Sequence, residues 1–368
     1  MRRLLLLPVL LIPAVSFGWG FNGHRRLASM LQDPLPNNHC LRSWFSARQS
    51  STLQDHACDP DRWRSTDPNE WPRHFLEIDR IAPTVAYPRD WQQAMQTFPQ
   101  YHTQNGRVPW RVEELYPQLI AAFAANNTTQ ILDLTFVLSH YVTDAFSVLH
   151  NTKDYNPGGT LHQRWESDML QGTQLNAVAD ASRAYFGTPG RADPKNNIFD
   201  IVMVGETLEP QLTQWHFANP TDETAFFNAA RDLTARRWGD AVTLYASIVW
   251  TAWAEAGAPT LAGFNTTPGC SRAVPTAEIV LRGFPVPGGF THPDGGTPPI
   301  VDAGIVDVPD GGPADAGCLD LCGEDDGGTG GSGGGGGGNE EPPPCGCAAA
   351  PGLFVLSLVL LLRRRRTS

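Results

Sequence analysis

The chain has little that points to nucleophilic or nucleotide-dependent catalysis. Outside the glycine tract near its C-terminus it has no G-x-S-x-G element, and the part able to fold has no glycine-rich phosphate loop. The His-Glu-x-x-His helix of metalloproteases is also missing. These absences remove the usual sequence support for a serine hydrolase, a P-loop enzyme or a zincin-type protease.

Basic charge and cysteine are also scarce. The net charge is −11, with 27 Lys and Arg against 38 Asp and Glu. No broad basic surface for duplex nucleic acid is indicated, although acidic proteins can bind phosphate through metal ions. The seven cysteines suit an exported protein. Cys40 and Cys58 could close one loop and Cys318 and Cys322 another; spacing alone settles neither pair, nor the partner of Cys270.

The N-terminus, residues 1–18, has the pattern of a secretory signal peptide: two arginines, an apolar run and a small-residue end. Cleavage after Gly18 would leave Trp19 as the new N-terminus. A membrane anchor that stays attached is the alternative, but the apolar run is short for a span of ~20 residues. The sequence therefore predicts an exported protein.

The C-terminal part changes in composition. Residues 272–344 are dominated by Pro, Gly and Asp and cannot bury a core, which predicts a disordered linker. Residues 345–368 hold Cys-Gly-Cys, an apolar run that predicts a short hydrophobic helix, and four arginines. This arrangement resembles the C-terminal sorting tails of myxobacterial surface proteins. The resemblance implies a processing protease as partner and a location at the cell surface or outer envelope, or extracellular release; an ordinary tail anchor is the alternative.

Residues 19–271 remain as the working domain, and their pattern is helical. Apolar residues recur at three- and four-residue spacing through 121–150, 166–186 and 223–256. No alternating strand series and no set of hairpin dipeptides interrupts them. The sequence predicts one all-α, multi-helix domain.

Three of the ten histidines lie in LSHYVTDAFSVLHNTKDYNPGGTLHQRWESDML, residues 138–170. His140 and Asp144 are four residues apart near the end of an apolar helix, so both project from one face. His162 and Glu166 repeat this spacing on the next helix, with His150 between the two pairs. Imidazole and carboxylate groups on neighbouring helices are ligands that zinc takes. The stretch therefore predicts a metal site.

Earlier residues extend this pattern. Trp19 at the predicted new terminus is followed by His24, then Asp59 and Asp61, then His74. In order, the combination resembles the superfamily that joins bacterial zinc-dependent phospholipases C with fungal and plant single-strand-specific nucleases. The motifs cover residues 19–166. The resemblance implies that superfamily's all-α fold and a phosphodiesterase activity that uses a metal-activated water.

The resemblance also implies three zinc ions as cofactors. Asp61 is preferred to Asp59 because the Pro-Asp-Arg element resembles the family's, and it is the expected catalytic residue, orienting the water or accepting its proton. The implied ligand sets are Asp61, His74, His140 and Asp144 for the first ion; His150, His162 and Glu166 for the second; and the amine and carbonyl of Trp19 with His24 and a bridging Asp144 for the third.

The resemblance implies that the substrate is a phospholipid or a single-stranded nucleic acid. The HxxxE ending and PRHFLEIDR favour the phospholipase C branch, whereas TLHQRW is closer to the nucleases. Phe75, Trp71 and Tyr155, with Trp63, are the aromatic candidates for holding a stacked base or a quaternary ammonium. A non-catalytic, zinc-stabilised surface binding module is the alternative from a different class. The sequence indicates no protein partner for the domain itself.

Overall fold

The computed structural model describes residues 18–80, 88–97, 104–264 and 269–282. Within these ranges the elements are helices, and the β-type pairings are isolated bridges. The all-α expectation is confirmed. The predicted signal peptide up to residue 17, the linker from residue 283 onward, the C-terminal helix and the pairing of Cys318 with Cys322 lie outside the described residues. Among the described helices, none combines the length and apolar content needed to cross a membrane.

Helices of very different length are joined by turns of 3₁₀ and π geometry. The short turns that matter below are Trp71–Arg73, Val148–His150 and the π turn Arg164–Asp168. The helices are α1 (Gly20–Ser29), α2 (Cys40–Ser46), α3 (Ser51–Asp55), α4 (Asp59–Trp63), α5 (Trp91–Thr97), α6 (Val108–Ala124), α7 (Thr128–Asp144), α8 (Leu161–Gln163), α9 (Gly172–Ser182), α10 (Pro194–Glu206), α11 (Glu209–Ala218) and α12 (Glu223–Glu255).

The 33-residue helix α12 is the centre of the core. Its residues 237–253 are all buried, as expected for a helix that is covered on every side. It packs against α6, α7 and α9, and its aromatic residues Trp238 and Trp253 are fully buried. Burial of a large apolar side chain contributes about 1.5–3 kcal/mol. The core therefore fixes α7, which supplies two of the predicted metal ligands.

Both ends of α7 are held by hydrogen bonds. At its start, the Asn127 side chain accepts a hydrogen bond from Gln130 N at 3.2 Å. Just past its end, the buried guanidinium of Arg237 donates to the carbonyl oxygens of Phe146 at 2.7 Å and Ala145 at 3.3 Å. Burial lowers the pKa of Arg237 to about 9, so it stays charged at neutral pH. Because carbonyl groups at a helix end lack partners within the helix, this cation stabilises the turn that follows Asp144.

The disulfide joins Cys40 to Cys270, and Cys58 is a buried free thiol. The suggested pairing of Cys40 with Cys58 is therefore wrong. Backbone hydrogen bonds accompany the disulfide, with Cys40 N donating to Ser271 O at 2.8 Å. Further on, Val280 pairs with Thr188, so contacts with the helical unit continue beyond the boundary predicted at Ser271. The disulfide bond ties the start of α2 to the last described segment, residues 269–282.

Replacing both Cys40 and Cys270 with Ser should lower the free energy of unfolding by about 2–4 kcal/mol, because the cross-link restricts the unfolded chain. Urea unfolding with and without a reductant measures this effect. The reductant should destabilise the wild type and leave the double variant unchanged. Equal sensitivity of both proteins to the reductant would contradict this disulfide assignment.

Candidate metal centre

Eight buried side chains from separate parts of the fold converge beside α7. We call them the His/carboxylate cluster, and each is at most 5% exposed. Their ligand atoms form three groups, each with all atoms within 4.8 Å of one another. The groups are His24, Asp61 and His140; His74, His140 and Asp144; and His150, His162 and Glu166.

Asp144 is the common neighbour of the cluster. Its Oδ2 lies 3.0 Å from His74 Nδ1 and 3.1 Å from His140 Nε2, and its Oδ1 lies 3.3 Å from His24 Nε2. His150 Nδ1 is 3.9 Å away. Burial raises the pKa of Asp144, but His140 and His150 outweigh burial and hold it well below its usual range. The carboxylate is therefore ionised at neutral pH.

Glu166 is the corresponding carboxylate of the second half of the cluster. Its Oε2 lies 2.5 Å from His162 Nε2 and 3.7 Å from His150 Nε2, and the two histidine nitrogens are 3.2 Å apart. Burial raises the pKa of Glu166, but His162 and His150 outweigh it and lower the pKa to about 2. The π turn Arg164–Asp168 and helix α8 bring His162 and Glu166 to the same side, as their four-residue spacing predicts.

Two of the histidines present a lone pair to the cluster when they are neutral. His140 Nδ1 lies 2.7 Å from the carbonyl oxygen of Ala57, and His150 Nδ1 lies 2.9 Å from that of His74. A carbonyl only accepts, so Nδ1 carries the proton in each ring and Nε2 is the acceptor. Both Nε2 atoms face the cluster, which is the arrangement of a metal ligand oriented by a backbone carbonyl.

Three carboxylate oxygens of the cluster lie near histidine nitrogens or arginine without accepting a well-aligned hydrogen bond from the described part of the chain. Asp61 Oδ2, Asp144 Oδ1 and Glu166 Oε2 accept no well-aligned hydrogen bond from any described residue. Burial lowers the pKa of His150, yet Asp144 and Glu166 raise it overall to about 9, which shows an excess of negative charge. Buried, unpaired carboxylates are costly. The residues therefore fit bound metal cations, which would satisfy these oxygens and histidine nitrogens together.

Asp59 and Asp61 are separated by the geometry of α4. Asp59 lies 2.7 Å from His56 Nδ1 and 2.8 Å from Arg62 Nη1, on the partly exposed side. The Asp61 side chain is fully buried, with Oδ1 3.9 Å from His74 Nδ1 and 3.9 Å from His140 Nε2. The geometry thus includes Asp61 in the cluster and leaves Asp59 outside it.

The predicted new N-terminus lies against the cluster. Trp19 is fully buried, its Nε1 donates to Thr143 O at 2.8 Å, and its ring packs edge-on against Trp165 and Trp238. A Cβ atom added to Gly18 would lie 2.0 Å from Asp144 Oδ1 and 3.1 Å from His150 Cε1. The backbone between residues 18 and 19 therefore adjoins Asp144, and any side chain at position 18 would collide with it.

A cavity opens beside the cluster and is lined by three of the four predicted aromatic candidates. Trp71 and Tyr155 are 41% and 40% exposed, whereas Phe75 is nearly buried. The cavity is also lined by the ligand candidates His74, His150 and His162. Trp63 does not line this cavity; it lines a separate groove of about 430 Å³ with Asp59 and Asp133.

Two residues near the cluster were not predicted from the sequence. Arg64 lines the cavity, its side chain is 7% exposed, and its Nη1 donates to Asp61 Oδ1 at 3.1 Å. The three-residue spacing from Asp61 on a short helix could have indicated it. Glu70 is a buried carboxylate 3.5 Å from His74 Nε2, and its four-residue spacing from His74 was the available signal.

No protein-family model and no curated protein matches the chain.

Replacing Asp144 with Asn should remove at least one bound metal ion per chain, because this carboxylate adjoins four histidines. Elemental analysis after saturation with Zn²⁺ and dialysis gives the count. Asp133→Asn is the matched control, since Asp133 is on the same helix but lines the separate groove. Equal metal content in the two variants would contradict the assignment of Asp144.

Proposed function

We propose that the chain is an exported, zinc-dependent phosphodiester hydrolase of the phospholipase C type. The proposal is supported by the His/carboxylate cluster, in which eight side chains converge and Asp144 lies within 3.3 Å of three histidines. A metal with a purely structural role needs one closed set of four ligands. Three ligand groups beside a cavity, two of which share His140, favour catalysis over structural binding.

Zinc is the metal that the donor atoms favour. The cluster offers imidazole nitrogen and carboxylate oxygen, and the described free cysteine, Cys58, is not among its ligand groups. Calcium and magnesium prefer oxygen ligands, whereas imidazole suits zinc and other transition metals. We assign the metal as zinc on this basis, and the same chemistry supports the three-ion arrangement that the sequence pattern implies.

The protein's own groups then have separate tasks in direct hydrolysis. Zinc ions held by the three ligand groups would supply an activated water with a pKa of ~7 and would neutralise charge on phosphate oxygens. Asp61 Oδ2, which accepts no well-aligned hydrogen bond from a described residue, orients the attacking water and takes its proton. Arg64, beside Asp61 at the cavity, binds a phosphate oxygen. No Ser or Cys nucleophile is required.

The organic part of the substrate would bind along an aromatic wall of the cavity, formed by Trp71, Phe75 and Tyr155. The rings of Trp71 and Phe75 lie edge-to-face with centroids 4.5 Å apart, and Tyr155 lies 6.0 Å from the His162 ring. Such a wall suits a lipid headgroup or a stacked base equally well. The HxxxE ending places the phospholipid first, and single-stranded nucleic acid is the alternative substrate.

Removal of the signal peptide would complete the site. Gly18 adjoins Asp144 and His150 in the uncleaved chain, so cleavage after Gly18 would free the amine of Trp19 next to them. That amine and the Trp19 carbonyl would join His24 and Asp144 as ligands. Export would therefore precede activity, and the C-terminal tail would serve to sort or anchor the finished enzyme at the cell surface.

The test uses mature protein that begins at Trp19, with zinc content measured on the same sample. Phosphatidylcholine vesicles and single-stranded DNA are offered side by side. We expect about three zinc ions per chain and release of diacylglycerol. The same chain beginning at Gly18 is the control; it should lose about one ion and most of the activity, because its amine is displaced from the site.

The other outcomes separate the alternatives. Nucleotide release in place of diacylglycerol would make the protein a single-strand-specific nuclease. Full zinc content with neither product would contradict hydrolysis of both substrates and favour a zinc-stabilised binding module. Absence of bound zinc from the mature protein would contradict the proposal itself.

A further inference from the structure

His74 is oriented so that its second nitrogen faces a carboxylate outside the cluster. His74 Nδ1 faces inward, 2.9 Å from His140 Nε2 and 3.0 Å from Asp144 Oδ2. Its Nε2 faces the opposite way, 3.5 Å from Glu70 Oε1. The metal-facing atom is therefore Nδ1, and Nε2–H remains for an outer partner.

Glu70 is a buried carboxylate paired with an arginine. Its exposure is 1%, and its Oε2 accepts a hydrogen bond from Arg73 Nη1 at 2.5 Å. The Arg73 guanidinium places a positive charge beside this buried carboxylate. A carboxylate kept charged in a buried position is a strong acceptor for an imidazole N–H.

Glu70 is in turn held by a second row of groups. The Tyr141 hydroxyl donates to Glu70 Oε1, and Tyr141 is itself fully buried on α7 next to His140. Arg111 Nη2 donates to the Tyr141 hydroxyl at 3.3 Å, and its guanidinium lies 4.9 Å from the centre of the Tyr141 ring. The carboxylate is thereby fixed relative to α7, which carries two other members of the cluster.

We propose that Glu70 is a positioning residue, which holds the His74 ring so that Nδ1 faces the metal and Nε2 keeps its proton. The proposal rests on the metal centre of the proposed function. Ligand histidines commonly donate their second N–H to a carboxylate, which fixes the tautomer and makes the ring a stronger ligand. Glu70 itself is not in any of the three ligand groups. On zinc binding, the 3.5 Å separation from Nε2 should shorten to a hydrogen bond.

The test measures zinc affinity by competition with a chelator, using the full mature protein and Zn²⁺ alone as the probe. Glu70→Ala should weaken the zinc affinity of the site that includes His74 by about 10–100-fold. Glu70→Gln, which keeps the side-chain shape and one acceptor oxygen, should lose less. Glu114→Gln is the matched control, because Glu114 also contacts Arg111, at 3.2 Å, but on the exposed side away from His74. It should bind zinc as the wild type does.

Two further readouts distinguish positioning from a role in folding alone. Nitrogen NMR of the zinc-loaded wild type should show His74 bound through Nδ1 with a proton on Nε2, and that proton signal should shift in Glu70→Gln. Relative to the wild type, the unfolding temperature of Glu70→Gln should fall more in the zinc-loaded protein than in the zinc-free protein. The reason is that the lost interaction supports metal binding.

Unchanged zinc affinity in both Glu70 variants, or an equal fall in unfolding temperature with and without zinc, would overturn the proposal. Zinc bound normally by the wild type would then leave the proposed function intact. A wild-type protein that binds no zinc would overturn the proposed function and this inference together.

Discussion

The burial of one carboxylate, Asp144, is the constraint on which the candidate site depends. An ionised group with 0% exposure is stable only if cations or strong donors surround it. Four histidines from α1, α7 and two turns surround Asp144, and together with it they could hold metal cations. Arg237 then fixes the turn that follows Asp144 by donating to backbone carbonyls. The long central helix thus supports the site without contributing a ligand to it.

The parts of this account that could be predicted from the sequence depend on helical periodicity. The pairs His140/Asp144 and His162/Glu166 were found because four-residue spacing puts side chains on one face, and that rule holds in the structure. The all-α character was predictable for the same reason, since apolar residues recur at helical intervals. Resemblance added the order of the remaining ligand candidates, and the structure brings His24 into the same cluster.

What sequence reasoning missed depends on contacts between distant segments. Cys40 pairs across 230 residues with Cys270, whereas the suggestion from spacing was the much nearer Cys58. The spacing of cysteines in the sequence contains no information on which distant segments of the chain meet in the fold. Arg64 and Glu70 were missed because a charged side chain in a short turn usually faces solvent. Only the packing of α4 and the following turn against α7 shows that both face the cluster or its cavity.

Anomalous diffraction at the zinc edge, from crystals of the mature protein, would test the central claim most directly. We expect zinc peaks among the three ligand groups, with Asp144 adjoining more than one peak and His74 bound through Nδ1. Crystals grown with zinc that show no peak at Asp144, and histidines that hydrogen-bond to carboxylates there instead, would contradict a metal centre in this protein.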